Sequence, residues 1–302
     1  MKKGILAVSF GTSHIDTMEK TIDVLEKEFA KTFEEAVVYR AFTSNMIIKK
    51  LKRTANIKVQ TVGEALEKMA ADGIEEVIVQ PTHVINGIEN DRMLQEVMEH
   101  MHLFRKVYVG KPLLSSVEDY KKAIHAVMEK TVIGEDEMLV LMGHGTDHHA
   151  NSAYPTLEYT FHSLGYQQVL VGTVESFPDL RNVMAKLEIS GRKKVVLMPF
   201  MFVAGDHANN DMAGDDDDSW KSQFTASGNF DSVDTQIAGL GEIEAVQKLY
   251  VEHTKKAIES LGKVSKSASS SAVSALEDGT YTAKFNTDSG MFHVNEADNG
   301  CC

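Results

Sequence analysis

At 302 residues, 43% hydrophobic and 25% charged, the chain has the composition of an ordinary globular protein, which excludes collagen-like, disordered and disulfide-scaffold classes. With 31 basic against 44 acidic residues the net charge is −13, so the bulk field opposes a polyanion: no nucleic-acid partner is expected, and an anionic ligand must be held by a local site. The two cysteines, Cys301 and Cys302, stand together at the chain end and leave neither a disulfide framework nor a thiolate metal cluster in the body of the chain.

The opening Met1-Lys2-Lys3-Gly4 leads into a short apolar run that already contains Ser9 and Thr12, which reads as the first strand of a cytoplasmic protein. No stretch reaches the roughly 18 apolar residues of a membrane helix, so no membrane partner is expected. The run Ile5 to Phe10 ends at Gly11, and Ile15, Met18, Ile22, Leu25 and Phe29 then recur at the three-and-four spacing of one buried helix face. The alternation continues with a strand-like Ala36 to Ala41, a helical Val62 to Ala71, a strand-like Glu76 to Gln80 closed by Pro81, a helical Asp91 to Leu103 and a strand-like Lys106 to Val109. Strands alternating with helices predict an α/β fold with mainly parallel sheets.

The second half repeats the first. Met138 to Met142 ends in Gly143-His144-Gly145-Thr146 as the opening run ends in Ser9-Phe10-Gly11-Thr12; Gln168 to Thr173 matches Val37 to Phe42; Lys194 to Met198 closed by Pro199 matches the strand closed by Pro81. Two similar lobes are therefore expected, residues 1–130 and 131–261, meeting across a cleft, with the helix Glu242 to Leu261 a candidate to pack back on the first lobe. Residues 262–275 are rich in Ser, Ala and Lys and read as a flexible linker, and residues 276–302 as an incomplete β module containing a hairpin. Oligomeric state is left open, a homo-oligomer included.

Ligands of open α/β sheets bind beyond the carboxyl ends of strands. In the second lobe those ends carry His144, Glu175 and His207, two imidazoles and a carboxylate suited to a divalent metal with positions left for another ligand. Aligning the halves sets Phe10 against His144, Thr43 against Glu175 and Glu89 against His207, so the first lobe offers one carboxylate that would face the cation across the cleft. Phe10, Gly11, Thr12 and Ser13 form a turn able to cradle an anion, weak as a phosphate motif, and His83 follows Pro81 at another strand end, where a structural role is as consistent as a cleft-lining one. His148 and His149 are expected to be exposed, and the run Asp215 to Asp218 a solvated loop.

Gly4 to Thr12, the Pro-Thr-His and Asn-Gly-Ile-Glu between Gln80 and Asp91, Met142 to Thr146, Gly172 to Ser176, and Met198 to His207 together resemble the anaerobic sirohydrochlorin cobalt chelatases, over about residues 2–260 and with the motifs in order. The resemblance implies a ferrochelatase-like pair of α/β lobes that inserts Co²⁺ into sirohydrochlorin without ATP, on the oxygen-independent route to cobalamin. It implies that His144, His207 and Glu175 hold the cobalt and that Glu89 is a further polar group in the cleft. No cofactor beyond the substrate metal is expected. His144, in its Gly-His-Gly setting, is the favoured proton acceptor, with Glu89 the alternative; Phe10, Gly11, Thr12, Ser13, His83 and Thr146 are candidates for contact with the macrocycle, with Arg92 a donor to its carboxylates. Ligand type alone admits Zn²⁺, Ni²⁺ or Co²⁺, and two other readings of the same residues stand beside this one: a metal or tetrapyrrole carrier without turnover, and metal-assisted hydrolysis.

Overall fold

The computed structural model describes residues 1–267, 281–286 and 291–296. The first half runs β1 (Lys3–Ser9), α1 (Ile15–Lys20), α2 (Ile22–Thr32), β2 (Ala36–Phe42), α3 (Asn45–Ala55), α4 (Val62–Ala71), β3 (Glu76–Pro81), α5 (Ile88–His100), β4 (Lys106–Val109) and α6 (Val117–Lys130). The second half runs β5 (Glu137–Gly143), α7 (Ala153–Ser163), β6 (Val169–Thr173), α8 (Leu180–Ser190), β7 (Lys194–Pro199), α9 (Trp220–Ala226), β8 (Ser232–Thr235) and α10 (Glu244–Ser267). Two four-stranded sheets result, ordered β2-β1-β3-β4 and β6-β5-β7-β8, and every pairing in them is parallel.

Both faces of each sheet are covered, which is why β1 and β5 read as continuous apolar runs. Period-two alternation then sorts their side chains: Ile5 and Ala7 point into one cluster and Leu6 and Val8 into another, with α4 and α5. Leu139 and Leu141 share the cluster of Ile5 and Ala7, whereas Met138, Val140 and Met142 pack with α8 and α9. A single apolar core, with α2, α6, α7 and α10 in it, thus joins the inner faces of both sheets.

The chain exchanges helices across this core. α6 follows the first sheet but packs on α7, and α10 follows the second sheet but packs on β3, β4 and α6. Tyr250 of α10, fully buried, donates its hydroxyl hydrogen to the Thr82 carbonyl at 2.9 Å, and Thr254 donates to Gln80 at 3.0 Å. His253 lies between the Lys111 carbonyl at 2.9 Å and the Asp119 carboxylate at 3.0 Å, with side chains of His253 and Asp119 only 3% and 7% exposed. Burial pushes the Asp119 carboxyl up, yet the hydrogen bonds from His253 and Ser116 outweigh it and hold the group below its ordinary value.

Several elements differ from expectation. The periodic stretch from Ile15 breaks at Thr21 into α1 and α2, and α3, with its Ser44 cap, was masked by the basic run Lys49 to Arg53. α10 continues to Ser267, past the expected boundary at 261 and through Gly262, because extending an anchored helix needs no new nucleus and Lys263 and Lys266 are good helix formers. The expected hairpin is present as β9 (Tyr281–Asn286) and β10 (Met291–Glu296), paired antiparallel; the rest of the expected linker, and the turn at 287–290, lie outside the described residues.

The internal alignment also needs one correction. Ser44 N donates to Phe10 O as Glu175 N donates to His144 O, while Thr43 N donates to Ser9 O as Val174 N donates to Gly143 O. The counterpart of Glu175 is therefore Ser44, and Thr43 corresponds to Val174. β2 and β6 differ in length, and no motif in the sequence marks where their shared end lies.

Replacing His253 by Ala should strand the buried Asp119 carboxylate and loosen α10 from the first sheet, costing about 3 kcal/mol. The loss should appear as a lowered urea midpoint, and a shift worth less than about 1 kcal/mol would show that the pair does not anchor the helix.

Candidate metal centre

Three parallel strands of the second sheet end on one rim, and the residues just beyond β5, β6 and β7 are delivered to the same place. His144 follows Gly143 directly, Glu175 lies two residues past Thr173, and His207 opens a wide helical turn, His207–Met212, of π type. Gly145 has φ +85°, and a Cβ there would stand 2.9 Å from the Ser176 amide nitrogen, so only glycine lets the His144 loop lie against the Glu175 loop. Gly11, its counterpart at φ +100°, would drive a Cβ to 2.4 Å from the Phe42 ring.

One ligand atom from each of His144, Glu175 and His207 lies within 4.8 Å of the other two. The two imidazoles meet edge to face, centroids 4.6 Å apart. His144 Nδ1 is 2.9 Å from the Gly145 carbonyl and His207 Nδ1 is 2.7 Å from the Asp211 carboxylate, both acceptors only. Each neutral ring therefore carries its proton on Nδ1 and presents a bare lone pair on Nε2, the arrangement a metal-binding histidine needs. Glu175 is exposed and the imidazoles half-buried, which leaves this donor set open to an incoming ligand.

The first sheet reaches across to this centre. His14 Nε2 is 2.7 Å and Lys50 Nζ 3.2 Å from the Asp206 carboxylate, beside His207. The His14 hydrogen bond, opposed by burial and helped by Lys50, holds the Asp206 carboxyl below its ordinary value. In the mirrored place, His148 Nε2 is 3.2 Å from Asp91. His148, expected to be exposed, is thus half-buried in a bridge, while His149 is exposed as expected. Thr12 and Thr146 spend their oxygens alike, accepting from the backbone N–H of His14 and His148.

The facing wall has a different character. Glu89, in the first turn of α5, accepts from Arg92 through Oε1 at 2.5 Å, so Arg92 is engaged rather than free for a ligand carboxylate. Its Oε2 is buried with no partner, as are Thr43 Oγ1, Asn90 Oδ1 and both ring nitrogens of His83. Burial pushes the His83 imidazole down to about 4, against a smaller upward pull from Glu89, so the ring is neutral near pH 7. A buried polar atom left unpaired costs roughly 1–3 kcal/mol.

The two walls enclose a cleft of about 720 Å³, well within the range of small-molecule sites. Phe10, Gly11, Thr12, Ser13, His83, Glu89, His144, Thr146, Glu175 and His207 all line it, so every site residue expected from the sequence is brought together. A short turn, His149–Ser152, separates the Gly145 loop from α7. Asp215 to Asp218 are exposed and outside the cleft lining. Asp211, Asp206, Lys50 and Asn90 were missed. The four-residue spacing of His207 and Asp211 was a readable signal, whereas nothing local links Lys50 to Asp206, 156 residues away.

Residues 3–259 match the family model described as cobalt chelatase (CbiK). The sirohydrochlorin cobaltochelatase of Salmonella typhimurium is 41% identical over 259 residues, covering 85% of this chain and 97% of that protein. The sirohydrochlorin cobaltochelatase CbiKC of Nitratidesulfovibrio vulgaris is 33% identical over 264 residues, covering 86% and 92%. Among solved structures, SirB from Bacillus subtilis superposes with a TM-score of 0.63 at 15% identity, covering 87% of this chain and 98% of its own. CbiX, described as the terminal enzyme of siroheme biosynthesis in denitrifying bacteria, gives 0.51 at 16% identity, covering 84% and 99%. The two structures establish the chelatase fold, and the family model with the two relatives shows that this chain belongs to the CbiK cobalt chelatases.

Proposed function

We infer that the protein is a sirohydrochlorin cobaltochelatase, inserting Co²⁺ into the free-base macrocycle with release of two protons. The observation that carries this reading is one cleft with unlike walls: three metal-competent atoms within 4.8 Å on one side, and buried, unpartnered hydrogen-bond acceptors on the other. Insertion asks for this division of labour, since the metal must shed water onto protein ligands while two N–H bonds give up their protons. Neither a nucleophile nor a redox group is needed.

Nε2 of His144, Nε2 of His207 and the Glu175 carboxylate bind the cobalt ion and replace part of its water shell. Gly145 and Asp211 keep the two rings turned toward it. The flat macrocycle lies between the walls against Phe10, Ile85, Ile88, Phe200 and Phe202, apolar surface that suits a conjugated ring better than an attacking water. Once His144 Nε2 holds the metal, its ring has no free lone pair, so the Glu89 carboxylate takes the role of proton acceptor. A His/His/Glu set does not favour cobalt over nickel, so the choice of metal rests on supply as much as on the site.

His144→Ala and His207→Ala should each lower cobalt insertion about a hundredfold or more while the melting temperature is kept, because each deletes a ligand. Rates near those of the unaltered protein at saturating Co²⁺, followed by the absorption change of sirohydrochlorin, would remove that residue from the site. A protein that binds both partners yet never metallates the ring would instead be a carrier.

Asp211→Ala frees the His207 ring to turn, and Co²⁺ affinity by calorimetry should weaken about tenfold. Glu89→Gln keeps size and hydrogen bonding but not charge, so it should slow single-turnover insertion more than it weakens Co²⁺ binding. Glu175→Gln should do the reverse. If the two carboxamide variants behave the other way round, the roles given to these carboxylates are exchanged.

A further inference from the structure

Among the described residues, every buried side-chain nitrogen or oxygen without a hydrogen-bond partner belongs to Thr43, His83, Glu89 or Asn90. These atoms are not scattered. They come from the ends of β2 and β3 and the start of α5, and all four residues line the cleft opposite His144, Glu175 and His207. A folded protein pairs nearly all its buried polar groups, so a cluster of exceptions in one wall marks a surface shaped for a ligand that supplies the missing partners.

We propose that His83 is a further catalytic residue, and that its ring nitrogen and Glu89 Oε2 together receive the two central N–H groups of the macrocycle from the first-sheet side. The proposal rests on the reading of the protein as a chelatase. Chemistry selects the ligand group: Glu89 Oε2 and Asn90 Oδ1 can only accept, and a neutral imidazole has one nitrogen able to accept, so the wall calls for donors. The centre of a free-base tetrapyrrole offers two N–H donors and no other protein group in the cleft supplies them. Burial keeps the His83 ring neutral, which leaves that lone pair available.

The placement of His83 is rigid. Its carbonyl accepts from the Leu113 amide at 3.0 Å and from the Tyr250 hydroxyl at 3.3 Å, so the strand end is held by a following loop and by α10. In the second half the equivalent position, two residues past Pro199, is Met201, which can accept no such proton. In the step itself each N–H bond breaks heterolytically. The proton passes to His83 or to Glu89, and the electron pair stays on the pyrrole nitrogen to become its bond to Co²⁺ held on the facing wall. Charge and atoms balance without any redox partner, and the two protons then leave to solvent.

His83→Phe removes both nitrogens and keeps a flat ring, so it also removes an unpaired polar group from the wall. The melting temperature should hold or rise, Co²⁺ binding by calorimetry should stay within twofold, and the single-turnover insertion rate should fall at least tenfold. His83→Ala should lose rate similarly and regain part of it on addition of free imidazole. A rate within twofold of the unaltered protein in either folded variant would overturn the proposal, as would a marked fall in melting temperature in both, which would make the ring structural. If the unaltered protein fails to metallate sirohydrochlorin, the chelatase reading falls and the role of His83 falls with it; metallation by the unaltered protein and by His83→Phe at equal rates removes His83 alone.

Discussion

The two walls of the cleft can work on one macrocycle only if their separation is fixed, and the exchange of α6 and α10 between the sheets fixes it. Tyr250, fully buried, ties the helix that follows the second sheet to the backbone just past β3. That backbone carries His83 and leads to Glu89. His253 and Thr254 add buried polar contacts to the first sheet along the same helix, and the shared apolar core fills the space between. Each fully buried Leu or Ile in that core contributes about 1.5–3 kcal/mol, so sliding one sheet against the other would cost far more than a typical ligand returns.

Within this frame, nearly equivalent positions were put to different uses. The ends of β1 and β5 carry Phe10 and His144, and their rings lie 6.1 Å apart. Ser44 and Glu175 occupy matching backbone sites, but Ser44 accepts from Ile47 N and caps α3. Beyond Glu175, the chain makes a further turn before Asp179 caps α8, so the carboxylate is not consumed in starting a helix. This explains in local terms why one wall keeps a free carboxylate beside two imidazoles and the other does not. Glu89, facing His207 in the internal alignment, is the carboxylate that remains on the first side.

Bridges between the halves run in both directions: His14 and Lys50 to Asp206, and His148 to Asp91. Each lands beside a residue given a role in the reaction, His207 in one case and Glu89 in the other. Movement of one sheet would therefore reposition the candidate metal ligand His207 and the proposed proton acceptor Glu89 together. The acidic net charge says little about this region, where Lys50 and Arg92 are already matched by neighbouring carboxylates.

Much of the architecture was legible in the residues themselves. Alternation of β-branched runs with three-and-four spacing set the order of strands and helices, and the prolines at 81 and 199 marked corresponding strand ends. From these ends His144, Glu175, His207 and Glu89 followed, because parallel strands deliver their following residues to one rim. What the tertiary structure decided lies at longer range. The pairing of His14 with Asp206 spans 192 residues and that of His253 with Asp119 spans 134, and no periodicity encodes either. The placing of Ser44 rather than Thr43 opposite Glu175 depends on backbone register, and the unpaired atoms of Thr43, His83, Glu89 and Asn90 exist only because packing excludes solvent around them. Local propensity acts over a turn or a strand, whereas the character of a cleft wall is set by what the fold brings, or fails to bring, within hydrogen-bonding distance.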